Sequence, residues 1–501
     1  MTGPTRRSFL AGVTAAGVGA SLPTTARTGN WRQDAGEFAP LGTLELEGTE
    51  DADVSPDGET VYVAVGDGFA AVDVSTPGDP TLLAERRGIE ADRETGPLTG
   101  IWDVQADGEF LLVVGPAGPA ETELKGAALY DVRDPADPRQ VSFFETDHDI
   151  HNAALAGTTA YLTGSGPDRA PVVVVEMEGT PEEVARWSLF DVDDRWAEVP
   201  QAARTCHDVM VRDGVVYASY WDAGTWVVDL SDPASPEFLA RVGGRPFETL
   251  ADIPENDGFE SALTLPGNAH NAALNDDGTV LAVGREAFDV EGTGETATMG
   301  GVALWDVSDL GSAEHRTTIA PPELDRGGGV HLTTAHNCHF RGDRLYTSWY
   351  QGGVRVYDAS DPTAPTRLAS WADAGRASFF DALPVADGVA APNLGVSPEQ
   401  GGPPEGAGVY TFPEPEAGGE PATTRTPTGT PTPTANGTAT SATPTGTTEP
   451  VVTTGAATTA PTSVADSPAA TSADGPGFGP LAALAGGGLA AWRLLAGDAE
   501  K

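Results

Sequence analysis

The chain is predicted to be all-β, a seven-bladed β-propeller whose four-stranded antiparallel blades close into a ring around a central channel. Three observations predict this. The stretch Gly214-Val-Val-Tyr-Ala-Ser-Tyr-Trp-Asp-Ala-Gly-Thr-Trp-Val-Val-Asp-Leu-Ser-Asp-Pro233 returns as a close copy at 342–362 and again at 58–77. The period, about 40–50 residues, is the length of one propeller blade. The last repeat stops one strand short, and a matching strand stands near the start of the chain.

Each element has a sequence reason. The first strand of a repeat is short and apolar, as in Asn152-Ala-Ala-Leu155, Asp208-Val-Met-Val211 and Asn271-Ala-Ala-Leu274. An Asp-Gly turn follows, at Asp57-Gly58, Asp107-Gly108, Asp213-Gly214, Asp277-Gly278 and Asp387-Gly388. Glycine supplies the positive φ of a tight hairpin at no steric cost. The second strand alternates, as in Val216-Tyr-Ala-Ser219 and Leu345-Tyr-Thr-Ser348. The third ends on Asp, at Asp73, Asp131, Asp229, Asp306 and Asp358. A Ser-Asp-Pro turn then breaks the ladder, because proline cannot donate to it. Pro236-Glu-Phe-Leu-Ala-Arg-Val242 is a typical fourth strand.

Repeats are read near 50–88, 102–145, 151–190, 207–242, 270–319 and 336–373, with a seventh from Phe380 to Phe412. Pro40-Leu-Gly-Thr-Leu-Glu-Leu46 resembles the fourth strand Pro365-Thr-Arg-Leu-Ala-Ser-Trp371. It is expected to complete the seventh blade and remove the open edges of the ring. A six-bladed ring with a free tail is the alternative. The propeller is assigned to residues 40–414. Two insertions interrupt the period, Gly243–Gly267 and Phe288–Gly300. Loops of that length in a compact fold are often functional.

Ala71-Val-Asp-Val-Ser-Thr-Pro77, Leu129-Tyr-Asp-Val-Arg-Asp-Pro135, Val227-Val-Asp-Leu-Ser-Asp-Pro233, Leu304-Trp-Asp-Val-Ser-Asp309 and Val356-Tyr-Asp-Ala-Ser-Asp-Pro362 resemble the LVIVD repeat family. The third repeat departs, with Val174-Val-Glu-Met-Glu-Gly-Thr-Pro181. The resemblance covers about three quarters of the chain. It implies a propeller outside the cell and no particular activity, since propellers serve as enzymes, platforms and scaffolds.

The net charge of the 501-residue chain is −46 and its pI about 4.2. Its only lysines are Lys125 and Lys501. Such a chain repels nucleic acid and anionic lipid, so no nucleic-acid partner is expected. It reads as adapted to very high salt, where carboxylate repulsion is screened.

Both termini carry addresses. Arg6 and Arg7 precede Ser-Phe-Leu and a weakly apolar Ala/Gly run, the pattern of a twin-arginine (Tat) signal peptide over residues 1–26, read by the Tat export machinery. Residues 415–475 are Thr/Pro-rich and expected to form an extended stalk, with an N-glycosylation acceptor at Asn436. Residues 476–501 open on Pro476-Gly477-Phe478 and continue into an apolar run ending at Trp492 and Arg493. This resembles the PGF-CTERM sorting signal of archaeal surface proteins. The resemblance implies an archaeosortase as partner and a lipid anchor; a C-terminal membrane helix is the alternative. The ending Leu-Leu-Ala-Gly-Asp-Ala-Glu-Lys501 departs from the basic cluster usual there. The expected localisation is exported, at the cell surface and membrane-anchored.

The candidate chemistry lies in histidine. His151, His207, His270 and His336 occupy one repeat position in four consecutive blades, at the start of the strand that lines the channel. They are expected to converge at one channel mouth, where neutral imidazoles suit a transition metal: copper, zinc or iron. His148, His331 and His339 lie nearby in sequence. The next position is Asp or Asn in all seven repeats, namely Asp51, Asp103, Asn152, Asp208, Asn271, Asn337 and Asp381. A side chain of this kind at a strand start is expected to bond backbone amides. Tyr220-Trp221 and Trp349-Tyr350, on loops of the same face, are weaker candidates for stacking a flat ligand such as a glycan, against a packing role. Cys206 and Cys338 are read as two thiols or a disulfide.

The leading functional reading is a binding or interaction module, its ligand at the histidine face and its partner a surface protein or glycan. The alternatives are a metalloenzyme built on the histidines and a structural component of the surface layer.

Overall fold

The computed structural model describes residues 38–118, 124–165, 169–289, 298–323, 332–396, 406–416 and 418–425. They form seven antiparallel sheets, each a blade. Blade 4 is typical: Asp208–Arg212, Val215–Tyr220, Gly224–Asp229 and Glu237–Val242 pair in that order from the channel outward. The strands of the other blades lie within 52–87, 103–145, 153–187, 269–319 and 338–371, with 383–413 for the seventh. These bounds lie within a few residues of the repeats read from the sequence. Gly42–Glu45 pairs with Gly408–Thr411 as the outer strand of blade 7. The start of the described chain thereby closes the ring, as the Pro40-Leu-Gly-Thr-Leu similarity predicts.

The inner three strands are buried on both faces because each blade lies between two others. This is why Val172-Val-Val-Val175 reads as a continuous apolar run rather than an alternation. The apolar clusters lie between blades; one joins Tyr161, Val174 and Trp187 of blade 3 to Val216, Trp226 and Val228 of blade 4. In six blades the pairing of third and fourth strands slips by one residue at the same place, Val227/Val228 in blade 4 and Val356/Tyr357 in blade 6. Such a bulge re-aims the outer strand. The Asp that ends the third strand accepts from the amide two residues on: Asp229 from Ser231 and Asp358 from Ser360. That turn is the reason for the repeated Asp-x-Ser-Asp-Pro. The third strand of blade 6 is preceded by Gly353 at φ +87°, where a Cβ would fall 1.9 Å from the Trp371 carbonyl oxygen.

Two features differ from the sequence reading. Residues 188–205 form a further insertion of short 3-10 turns at Leu189–Asp191, Asp194–Glu198 and Gln201–Arg204. The expected stalk does not begin at residue 415. Glu420–Pro421 pairs with the outer strand of blade 6, and Thr424–Arg425 with that of blade 5. Unpaired amides and carbonyls on those outer edges capture the passing chain. The signal segment 1–26, the rest of the stalk and the sorting signal lie outside the described residues, and with them Arg6, Arg7, Asn436, Pro476, Gly477 and Phe478.

Candidate metal centre

The four repeat-equivalent histidines stand side by side. Ring centroids are 4.3 Å apart for His151 and His207, 4.2 Å for His207 and His270, and 4.3 Å for His270 and His336. Trp102 meets His151 edge-on at one end, and Phe380 lies 3.8 Å from His336 at the other. Both occupy the same repeat position in their own blades. The result is an arc of rings at the channel wall, with all four imidazoles at most 6% exposed. The four imidazoles therefore form a covered layer.

Burial holds these imidazoles neutral. It lowers His151 to about 4. It lowers His207, His270 and His336 well below the ordinary range, with neighbouring imidazoles adding to the effect. Neutral rings are metal ligands. The outer two have their tautomer fixed: Nδ1 of His151 donates to the Ala117 carbonyl (3.0 Å), and Nδ1 of His336 to the Phe380 carbonyl (2.7 Å). That leaves Nε2 as the bare nitrogen on each, the arrangement typical of oriented metal ligands. In the inner two, no ring nitrogen of His207 or of His270 makes a well-formed hydrogen bond; the His270 backbone gives His207 only a weak contact that opposes the effect of burial. An unpartnered buried polar group costs about 1–3 kcal/mol.

A carboxylate completes the group. Glu286 is 2% exposed, and its Oε2 lies 3.7 Å from Nδ1 of His270. The Tyr350 hydroxyl donates to its Oε1. One ligand atom from each of His207, His270 and Glu286 lies within 4.8 Å of the others, the one such triad of His, Cys, Asp or Glu among the described residues. Glu286 was not among the residues singled out from the sequence. Strand pairing places it, in blade 5, where blades 4 and 6 carry Trp221 and Tyr350. The available signal was Arg285-Glu286 standing where blades 4 and 6 have an aromatic pair.

The aromatic pairs are a correction. Tyr220, Trp221, Trp349 and Tyr350 are buried, at no more than 2% exposure, and offer no open face for stacking a flat ligand. Trp221 stacks on His207 at 5.6 Å and Tyr350 meets His336 edge-on at 5.0 Å. Both hold positive φ, 28° and 48°. A bulky residue there stores about 1–3 kcal/mol of strain, a feature that clusters at functional sites. The insertion at 243–268 covers this layer. Its helix Gly258–Ala262 sets Phe259 6.4 Å from Trp221. Asp222, fully buried, anchors the insertion by accepting from Arg245 Nη1 (2.9 Å), Ser261 Oγ (2.8 Å) and the Asn268 amide (3.1 Å). Gly267 is required there, since a Cβ would fall 1.5 Å from Asp222 Oδ1.

The other histidines are elsewhere engaged. His148 Nδ1 pairs with Asp147 at 2.9 Å, and His339 Nε2 with Asp381 at 2.8 Å; His331 lies outside the described residues. Cys206 and Cys338 are free buried thiols in different blades. One residue along from the imidazoles, the Asp/Asn positions make the expected amide bonds in part. Asp51, Asp208 and Asp381 accept from the next amide in the chain. Asp103 accepts from Ala153 of the next blade, and Asn271 from Cys338. All seven positions except Asp103 border a separate cavity of about 260 Å³ in the channel. Burial raises Asp53 to about 6, Asp208 to about 7 and Asp103 to about 8. Asp51 is raised well above the carboxylate range by burial and then by Asp381 and Asp103.

The LVIVD repeat model matches residues 51–85 and 203–243, covering blade 1 and blade 4. No curated protein matches the chain. Among solved structures, the chain is similar to the β-propeller domain of Cps50 (Swd1) from Myceliophteria thermophila. The identity is 9% and the TM-score 0.48, over 75% of this chain and 99% of that one. Similarity to Sqt1 of Saccharomyces cerevisiae has 12% identity and TM-score 0.46, over 76% and 100%. A functionally unknown protein from Desulfotomaculum acetoxidans follows at 10% identity and TM-score 0.42, over 65% and 85%.

Proposed function

We propose that this chain is a metal-binding β-propeller whose ion is held by His207, His270 and Glu286 between blades 4 and 5. One observation carries the reading: two adjacent buried imidazoles leave all four ring nitrogens without a well-formed hydrogen bond beside a buried carboxylate. Two imidazoles and one carboxylate suit zinc, copper or iron(II). Three protein donors leave a further coordination position, where Lewis-acid or redox chemistry would occur. His151 and His336, with bare Nε2 atoms, flank the triad as further donors. The signal peptide, stalk and sorting sequence support an exported, surface-anchored protein that uses the Tat machinery and an archaeosortase. Folding before export, which that route permits, would allow the ion to be loaded inside the cell. The charge of −46 supports a salt-adapted, haloarchaeal source.

The test is elemental analysis of the full chain, purified folded in high salt, beside H207A/H270A and E286Q. About one equivalent of zinc, copper or iron, lost in both variants while their circular dichroism is unchanged, is the expected result. No metal after reconstitution with each of the three, with variants as stable as the parent, overturns the reading.

A ligand-binding module is the second reading, favoured by a different feature. A cleft of about 400 Å³ beside blades 4 and 5 presents Arg195, Arg241, Phe238 and Phe247, with the buried Trp196, Trp226 and Trp305 beneath them. The Arg241 guanidinium lies over the first two of these indoles. Glycan binding that is lost in F247A, with metal content and circular dichroism intact, would select this reading.

A further inference from the structure

Arg241, in the cleft beside blade 4, lacks the partner that its repeat position has in blade 3. Strand pairing sets Arg186 opposite Val173 and Arg241 opposite Trp226, each one residue after the alanine that follows the bulge. In blade 3 the Arg186 guanidinium grips both carboxylate oxygens of Glu183, from Nε at 2.9 Å and Nη2 at 2.8 Å. The position of Glu183 is Phe238 in blade 4. An apolar ring stands where blade 3 has the carboxylate.

Arg241 is left with neutral acceptors. Its Nε donates to the Ala223 carbonyl at 2.7 Å and its Nη2 to that of Arg245 at 2.5 Å. Its Nη1 has no acceptor among the described residues and remains open to solvent. Burial lowers Arg241 to about 10, and the exposed Glu248 adds its charge without bonding it. The other two arginines of the cleft are neutralised within the protein. Asp193 accepts from Nε (2.9 Å) and Nη2 (2.7 Å) of Arg195, and Asp222 from Nη1 of Arg245 (2.9 Å). With 74 acidic residues against 28 basic ones, the chain does not leave Arg241 bare for want of carboxylates. A partly desolvated charge without a partner is costly, and an anion from outside relieves that cost.

The cleft is also where the repeat is broken. Asp193 and Arg195 come from the insertion at 188–205, and Arg245 and Phe247 from the next one. The two longest described departures from the blade pattern thus meet around one guanidinium. A volume of about 400 Å³ suits a small ring compound. The half-buried Phe238 and Phe247 give that volume an apolar wall.

Granted the ligand-binding reading of this cleft, we infer that its ligand is a small ring bearing a carboxylate, of the sugar-acid class. The carboxylate binds Arg241 as Glu183 binds Arg186, and the ring lies against Phe238 and Phe247. Guanidinium and carboxylate match in charge and hydrogen-bonding geometry, and a contact pair in a cleft is screened less by salt than an exposed one.

The test is saturation-transfer NMR titration of the full chain, in molar potassium chloride, with galacturonate and glucuronate, each beside its methyl ester. The ester keeps the shape of the acid and removes its charge. At least one acid should bind ten times more tightly than its ester, and R241Q should remove that difference while R186Q keeps it. F238E guards against a variant that fails to fold, because it returns to blade 4 the carboxylate of blade 3. It should keep the circular dichroism and metal content of the parent and bind the acid at least tenfold more weakly. Acid and ester bound equally, and lost together in F247A, would overturn the carboxylate while keeping the cleft as a ligand site. Acid binding unchanged in R241Q and F238E would overturn it too. Binding of neither acid nor ester would overturn the ligand-binding reading along with it.

Discussion

His207 and His270 lie in adjacent blades with ring centroids 4.2 Å apart, and no nitrogen of either ring makes a well-formed hydrogen bond. Packing alone does not explain this pair. The same repeat position carries Trp102 and Phe380 in other blades, so an apolar ring fits the wall. Histidine brings polar nitrogens that burial penalises unless something binds them.

Replacing His207 by Phe, the ring that stands at position 380, therefore separates a metal ligand from a packing residue. Without metal, the variant should unfold at higher denaturant than the parent, by about 1–3 kcal/mol, because the orphaned nitrogens are gone. With metal at a hundredfold its dissociation constant, the parent should gain about 2.7 kcal/mol and the variant almost nothing. Denaturant titrations with and without metal give both numbers. A variant less stable than the metal-free parent would mean that the imidazole has an unrecognised partner.

The ring was legible because its signals are local. The Asp that ends the third strand in five blades makes its own turn two residues on, and Asp-Gly sets five of the hairpins, so repetition is visible without any contact being known. The closing strand was legible because Gly42–Glu45 copies the pattern of 365–371. Glu286 was not legible as a ligand: its role comes from strand pairing and from a turn in the next blade, and an acidic residue is unremarkable in so acidic a chain. Trp221 and Tyr350 do contact the histidines, but the burial of the aromatic pairs is not visible in the sequence. Their cover comes from the insertion at 243–268, anchored by Asp222 through contacts up to 46 residues away. The pairings of 420–421 and 424–425 involve two residues each, too few to leave a pattern in a Thr/Pro-rich stretch.

Closure and outer-edge pairing should differ in energetic weight. A chain beginning at residue 47 loses the four-residue ladder of Gly42–Glu45, buried Leu46, and Phe38, which stacks on Phe412 at 5.2 Å. Each fully buried side chain contributes about 1.5–3 kcal/mol, against a total of about 5–15 kcal/mol for a domain. That chain should lose its cooperative thermal transition, whereas one beginning at residue 38 keeps it. A chain ending at residue 416 gives up two short exposed ladders, and its midpoint should move by only a few degrees. Calorimetry on the three chains decides; a chain from residue 47 that melts like the parent would show that the ring does not depend on its closing strand.

His315 provides a pH handle distinct from the proposed metal ligands. It lies on the outer strand of blade 5, with Nε2 2.9 Å from Thr318 Oγ1 and its ring edge-on to Trp305 at 5.1 Å. Burial, and then the positive charge of Arg285, lowers it to about 4 from an ordinary value of 6.5. A histidine depressed on folding binds its proton less readily in the folded state than in the unfolded one. Its contribution is therefore fully present above pH 6.5 and is lost as pH falls from 6.5 toward 4. Gln at this position keeps a donor for Thr318 and cannot titrate. Between pH 7 and 4.5, the thermal midpoint of H315Q should fall less than that of the parent, with the two curves diverging below pH 6.5. The difference between them isolates this residue from the buried carboxylates, whose raised values act in the opposite direction across the same range. Parallel curves would mean that His315 titrates in the folded protein as it does in the unfolded chain.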